Sequence, residues 1–285
     1  MKKLMIIIFS LVVFSAYGQN TYKTEFNNDE ESTVEISIVA AKVTVVGTAG
    51  NELIIESIGE NKPLNSQVQI KDDKPDDDEE PVLPERAKGL KPINATGKDN
   101  TGVGVFIENH EDFIRLVQSP FLLSDHYKIT IPNKSKLIIT DMHHFSGNSK
   151  FTYSISNLDN EITVSSLNSN FDLNNIKGPL VLNATNGNAD IKYSEVKLTK
   201  PISIVTINGY VDLTLPPSLK ADVQLHTMNG EAYTDFEVEE ESSMIPDNSL
   251  PNMQMFHLEG NINGGGPTKV NIQTINGDIF LRKGK

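Results

Sequence analysis

Four Asn-Gly dipeptides, at 186/187, 208/209, 229/230 and 276/277, each sit between two short runs that alternate apolar and polar residues. The copies are LNATNGNADIKY from Leu182, IVTINGYVDLTL from Ile204, LHTMNGEAYTDF from Leu225 and IQTINGDIFLRK from Ile272. The steps between dipeptides are 22, 21 and 47 residues, the last close to two rungs with an insertion. Self-similarity at a fixed period of this size marks arrays that stack one unit on the next. Ahead of each Asn the apolar positions alternate, as in Ile202 and Ile204, Val223 and Leu225, Val270 and Ile272. Beyond the Gly they alternate again, as in Ala189 and Ile191, Val211 and Leu213, Ile279 and Leu281. A period of two on both sides of a turn dipeptide predicts strand, turn, strand.

An Asn-Gly pair supplies the positive φ that a tight turn needs, and alone it equally fits an antiparallel hairpin. The regular step is what favours stacking. The expected fold is therefore all-β, a parallel β-solenoid of stacked coils, with an antiparallel β-sandwich as the alternative. In a solenoid, equivalent residues lie about 4.8 Å apart on neighbouring coils, so each inward column becomes an aliphatic ladder. Ile204, Leu213, Leu225 and Ile272 fall on the inward phase. Two degenerate copies, LDNEITV from Leu158 and LNSNFDL from Leu167, keep the alternation without the Gly. Their nine-residue separation is too short for a full coil and leaves the register there open.

Residues 1–18 read as a signal peptide. Lys2 and Lys3 precede an apolar run from Leu4 to Phe14, and Ala16-Tyr17-Gly18 offers small residues for cleavage. That run is too short to span a bilayer core of about 30 Å, and no transmembrane segment is expected after its removal. The chain has no cysteine, which excludes a lipoprotein anchor and disulfides. Removing the two lysines leaves 23 basic and 38 acidic side chains, a net charge of −15. Such a charge disfavours nucleic acid and anionic membrane surfaces as partners.

The mature chain, 19–285, reads as a single β-repeat domain with two interruptions. Strand-like runs from Ser32 to Ser57 are expected to cap the first coil. About 60–100 is an acidic, proline-rich excursion whose composition cannot bury enough apolar surface to offset ordering entropy. Its aspartates lack the glycine and alternate spacing of a calcium loop, so a solvated charge run is expected. HYKITIP and KLIITDM flank a turn at Pro132 to Ser135, and about 237–257 is an insertion.

Several segments together carry a resemblance to a known family. They are ERAKGLKPINATGKDNTGVGVFIE from Glu85, YKITIP from Tyr127, PISIVTINGYVDLTLPPSLKADVQLHTMNGEAYTDF from Pro201 and NINGGGPTKVNIQTINGDIFLRK from Asn261. They resemble the putative-adhesin β-strand-repeat family of Bacteroidetes-type bacteria, a domain of unknown function similar to head-domain adhesins with a Gly-Ile-Asn signature. The resemblance covers most of the mature chain. It implies a secreted, β-helix-like protein without established catalytic residues.

Catalytic motifs are absent from the sequence: no cysteine nucleophile, no Gly-x-Ser-x-Gly elbow and no Walker loop. His143 and His144 after Asp141 could meet one metal only in a loop, because adjacent strand residues point to opposite faces. No catalytic residue, metal or cofactor is assigned. One outward column remains. Asp172, Asp190 and Asp212 recur at the same position of successive copies, and the position turns aromatic at Tyr233 and Phe280. Stacked carboxylates repel unless screened or bridged. Asp172, Asp190, Asp212 and Tyr233 are therefore the candidate binding residues. The expected function is an exported, non-catalytic adhesin or cell-envelope protein, periplasmic or surface-exposed. It would hold an unidentified protein or glycan against a rigid strand face. The alternative is a polysaccharide hydrolase or lyase that uses the Asp column.

Overall fold

Each stretch of alternating residues becomes a strand in one of two opposed sheets, and each Asn-Gly turn carries the chain from one sheet to the other. A computed structural model describes residues 19–38, 40–59, 62–63, 99–118, 122–123, 126–141, 151–197, 200–243 and 256–285. The 1–18 signal reading, most of the acidic excursion and the His143/His144 pair lie outside the described residues. So does the middle of the second insertion. In chain order, β1 is Gln19–Glu25, β2 Thr33–Ser37, β3 Lys42–Thr48, β4 Glu52–Ile58 and β5 Lys62–Pro63. Next come β6 Val105–His110, β7 Phe113–Gln118, β8 Leu122–Leu123, β9 His126–Pro132, β10 Lys136–Asp141 and β11 Phe151–Leu158. β12 is Ile162–Ser166, β13 Ser169–Ile176, β14 Leu180–Asn186, β15 Ala189–Tyr193, β16 Ile202–Asn208 and β17 Val211–Leu215. The last are β18 Ala221–Thr227, β19 Ala232–Thr234, β20 Val238–Ser243, β21 Phe256–Ile262, β22 Thr268–Asn276 and β23 Ile279–Lys283.

The described chain is all-β with two large sheets. Sheet A runs β1-β4-β9-β3-β11-β13-β15-β17-β23-β19, and sheet B runs β20-β21-β18-β22-β16-β14-β12-β10-β2-β7-β6. From β9 to β19 in sheet A every neighbouring pair is parallel. The same holds from β7 to β18 in sheet B. One rung is a sheet B strand, a turn and a sheet A strand. β12 and β13 form one such rung, so the nine-residue spacing left open above is half a rung.

Two rungs sit out of sequence order. β22 lies between β16 and β18, and β23 between β17 and β19. The 47-residue step is thus no skipped rung: the fourth Asn-Gly copy slots between the second and third. At the other end β9 separates β3 from β4, although β3 and β4 are consecutive in the chain. The cap expected from Ser32 to Ser57 is therefore divided. β2 and β3 form a full rung inside the stack, while β4 runs antiparallel to β9 and closes the sheet together with β1. β6 closes sheet B beside them. At the far end sheet B is closed by antiparallel β21 and β20, the latter from the second insertion.

Between the sheets the inward residues form continuous ladders. In sheet B one runs Leu116, Ile36, Ile139, Val164, Leu182, Ile204, Ile272, Leu225. None of the eight is more than 2% exposed. Facing it in sheet A are Ile129, Val45, Ile155, Leu173, Ile191, Leu213 and Leu281, also buried. Burying a side chain of this kind is worth about 1.5–3 kcal/mol, and repetition along the stack supplies the core.

The turns are held by polar ladders. Asn186 donates its side-chain amide to Asn168 at 2.9 Å, and Asn208 donates to Asn186 at 2.8 Å. Asn276 continues the line to Asn208, and Asn229 to Asn276, both at 2.8 Å. Just inside, the buried hydroxyls of Thr206 and Thr274 donate to the carbonyls of Gly209 and Gly277 at 2.9 and 2.6 Å. The role of the glycines differs from the sequence expectation. Neither Gly209 nor Gly277 has a left-handed backbone. A Cβ on Gly209 would lie 1.9 Å from the carbonyl oxygen of Gly187, and one on Gly277 2.1 Å from that of Gly209. Glycine is needed because the neighbouring rung's backbone passes where a side chain would start.

Candidate binding surface

Alternation that sends Phe171, Leu173, Ala189, Ile191, Val211 and Leu213 inward leaves Asp172, Asp190 and Asp212 outward. The register brings the three together: Asp172 pairs across with Asp190, and Asp190 with Asp212. Because the last rung is inserted, the next residue in the row is Phe280, and Tyr233 follows it. The row therefore reads Asp, Asp, Asp, Phe, Tyr, with about 4.8 Å between strands. All four residues singled out from the sequence share this row.

The carboxylates are not equivalent. Arg282 donates from Nε to both oxygens of Asp212, at 2.8 and 2.9 Å. That hydrogen bond, with the charge of Asp212, raises the arginine's pKa further. Tyr210 donates its hydroxyl to Asp190 at 2.9 Å. Partial burial, then the bond to Asp190 and the charges of Asp190 and Asp212, push the Tyr210 phenol above its ordinary range. Asp172 is exposed and has no side-chain partner among the described residues. The mutual repulsion expected of the column is thus relieved by a cation at one member and a hydroxyl at the next.

The aromatic end is a small stack. Tyr233 lies face-on to Phe280, with centroids 5.3 Å apart and planes 10° from parallel. Tyr210 meets Phe280 edge-on at 6.3 Å, and the Arg282 guanidinium sits 5.2 Å from the Phe280 centroid. Tyr233 is 47% exposed, one of two large apolar side chains so placed among the described residues. Its hydroxyl donates to Glu231, which raises the pKa of the phenol.

Arg282 and Tyr210 escaped the sequence reading. Arg282 is two residues past Phe280 and outward by alternation, but only the inserted rung sets it beside Asp212. Nothing in the described residues forms a group of three or more His, Asp or Glu that could hold a metal ion. Asp141, the described member of the candidate histidine cluster, is buried, and its carboxylate accepts from Ser169 and from Ser166. No helix of the described residues is long and apolar enough to cross a membrane.

Two solved structures are similar in outline. One is a putative cell adhesion protein from Clostridium sporogenes ATCC 15579, with 11% identity and a TM-score of 0.44, covering 93% of this chain and 99% of that one. The other is a putative adhesin from Bacteroides fragilis NCTC 9343, with 9% identity and a TM-score of 0.33, covering 93% and 98%. No curated protein matches the chain. The profile of the Toastrack DUF4097 family, a domain of unknown function, matches residues 140–282, just over half of the 285 residues. The chain belongs to the Toastrack DUF4097 family.

Proposed function

We propose that this is an exported, non-catalytic β-solenoid with an adhesin-like role at the cell envelope, binding an extended protein or glycan along the outward row of sheet A. The observation that carries the reading is the row itself. Three carboxylates and two aromatic rings stand in register on five parallel strands. Parallel ladders support the solenoid reading, and a basic start followed by a short apolar run supports export. A flat strand face with evenly spaced side chains suits extended ligands, because successive ligand units meet successive rungs.

The polysaccharide hydrolase reading fits the geometry less well. Glycoside hydrolysis needs one carboxyl to act as acid and another as base or nucleophile. Here Asp212 is neutralised by Arg282 and Asp190 is occupied by Tyr210. The test is a pull-down from envelope glycans and proteins with the mature chain and with the triple variant Asp172→Asn, Asp190→Asn, Asp212→Asn. The wild-type chain should retain a partner that the variant releases, with the melting temperature unchanged. Polysaccharide degradation by the wild-type chain, abolished in the triple variant, would overturn the binding-only reading.

A further inference from the structure

At three of the four sheet ends the last parallel strand is followed by one that runs against the stack: β4, β6 and β21. β4 and β1 close one end of sheet A, β6 the same end of sheet B, and β21 and β20 the opposite end of sheet B. The fourth end is different. Sheet A stops at β19, a strand of the final rung itself, and among the described residues no antiparallel strand is added to it; β1, β6 and β20 are edge strands too, but each belongs to such an added closure. The rung is also unfinished. At the position where seven preceding strands bury an aliphatic side chain, β19 carries Thr234, which is exposed. An edge strand in this state presents a row of backbone groups that can pair with another chain.

The side chains on β19 specify what such a chain would carry. Tyr233 stacks one ring face on Phe280, so its other face points away from the sheet toward the place of an added strand. Glu231 and Asp235 stand on either side of it, outward and exposed. Asp235 accepts from the Lys283 backbone N–H at 2.7 Å, and Glu231 from the Tyr233 hydroxyl; neither is neutralised by an ion pair. Opposite charges directly across a strand pair attract and like charges repel. A second copy pairing β19 with β19 about a two-fold axis at Tyr233 would set Glu231 against Asp235 of the other copy. That arrangement is disfavoured at both ends.

We propose that the bare edge of sheet A at β19 accepts an added β-strand from a partner protein, an extended segment with basic residues two positions before and two positions after an aromatic one. The pattern is symmetric, so it serves either strand direction. Backbone pairing with β19 supplies the register, and the aromatic residue extends the ring stack beyond Tyr233. This site is the edge of the sheet, separate from the Asp row on its face, and it does not require the face to bind anything.

The test uses the mature chain and fluorescein-labelled seven-residue peptides of sequence Thr-Lys-Thr-Phe-Thr-Lys-Thr. A second peptide has Glu for both Lys, and a third has its backbone amides N-methylated. Exchanging two attractive cross-strand pairs for two repulsive ones predicts about tenfold tighter binding of the basic peptide than of the acidic one. The N-methylated peptide should not bind, and hydrogen exchange at residues 231–235 should slow on adding the basic peptide. Glu231→Lys should narrow or reverse the charge preference, and Tyr233→Ala should weaken the basic peptide. The variant Asp172→Asn, Asp190→Asn, Asp212→Asn should bind as the wild type does, which separates this site from the face. Equal binding of the methylated peptide overturns strand addition. No binding of the basic peptide, or a concentration-dependent dimer that masks β19, overturns the partner-strand assignment.

Discussion

The side-chain amide of Asn276 donates to Oδ1 of Asn208 at 2.8 Å, across 68 residues of sequence. Asn229, much nearer to Asn208 in the chain, instead donates to Asn276. The ladder thus records the true order of the rungs, and it gives a direct test of how much the turns contribute.

Asn276 makes two ladder bonds, whereas Asn168 at the end of the row makes one. At about 0.5–1.5 kcal/mol net per hydrogen bond, Asn276→Ala should cost about twice what Asn168→Ala costs. Urea denaturation of the two variants reads the ratio. Equal losses would mean that the amide row adds nothing beyond the turn backbone.

Gly209→Ala places a methyl 1.9 Å from the Gly187 carbonyl oxygen, a backbone atom that cannot swing aside. A loss of about 1–3 kcal/mol or more is expected from such overpacking. Gly50 is the control: an added Cβ there has only the Thr48 hydroxyl oxygen near it, at 3.8 Å. Without positive φ at Gly50, the alanine should be neutral or stabilise by about 0.4–1 kcal/mol. Similar melting temperatures for the two variants would refute close rung approach as the reason for the Asn-Gly repeat.

How far the sequence could be read turns on what kind of residue carried the information. Leu213 and Ile204 were legible because period-two alternation is a local property and burial follows it directly. The Asp172, Asp190, Asp212 row was legible for the same reason, since three consecutive copies stack in sequence order. Phe280 was legible as a member of the row, but its place between Asp212 and Tyr233 and the contact of Arg282 with Asp212 were not, because they are decided by where the last rung enters the stack. No local pattern marks that place. The purpose of the glycines was misread because a turn dipeptide carries the same letters whether it needs positive φ or close approach. β4 and β21 alternate as stack strands do and differ from them in direction, which alternation cannot reveal.

Leu213→Ala removes a fully buried side chain from the middle of the sheet A ladder. The cost should be about 2–5 kcal/mol by chemical denaturation. A loss below about half a kcal/mol would contradict the inward phase, since even one buried methylene is worth more.

Alkaline stability should fall with the ionisation of buried phenols, Tyr153 and Tyr193 among them. Tyr153 donates its hydroxyl to the Ile38 carbonyl, and Tyr193 donates to that of Gly178 at 3.0 Å. Burial pushes both far above the ordinary tyrosine range, with the charge of Asp141 adding to the effect at Tyr153. Below pH of about 10 these phenols are neutral in both states and their contribution is complete. Above it the unfolded chain ionises while the folded chain does not, so stability falls by about 1.4 kcal/mol per pH unit for each. Tyr193→Phe should make the slope between pH 10 and 11 shallower in guanidinium titrations. An unchanged slope would mean that Tyr193 ionises without unfolding.

The inserted rung also dictates when this molecule can finish folding. A stack built in chain order could add rungs as the polypeptide emerges, each new strand finding a template already in place. Here β18 and β19 cannot settle against β16 and β17, because β22 and β23 belong between them. The segment from Thr268 to Lys283 acts as a keystone driven in last, and it joins partners far away along the chain. Closure of such distant contacts carries a large loop entropy and slows folding. Vectorial growth must therefore wait for β22 and β23, and losing that segment would open the middle of the rack instead of shortening it.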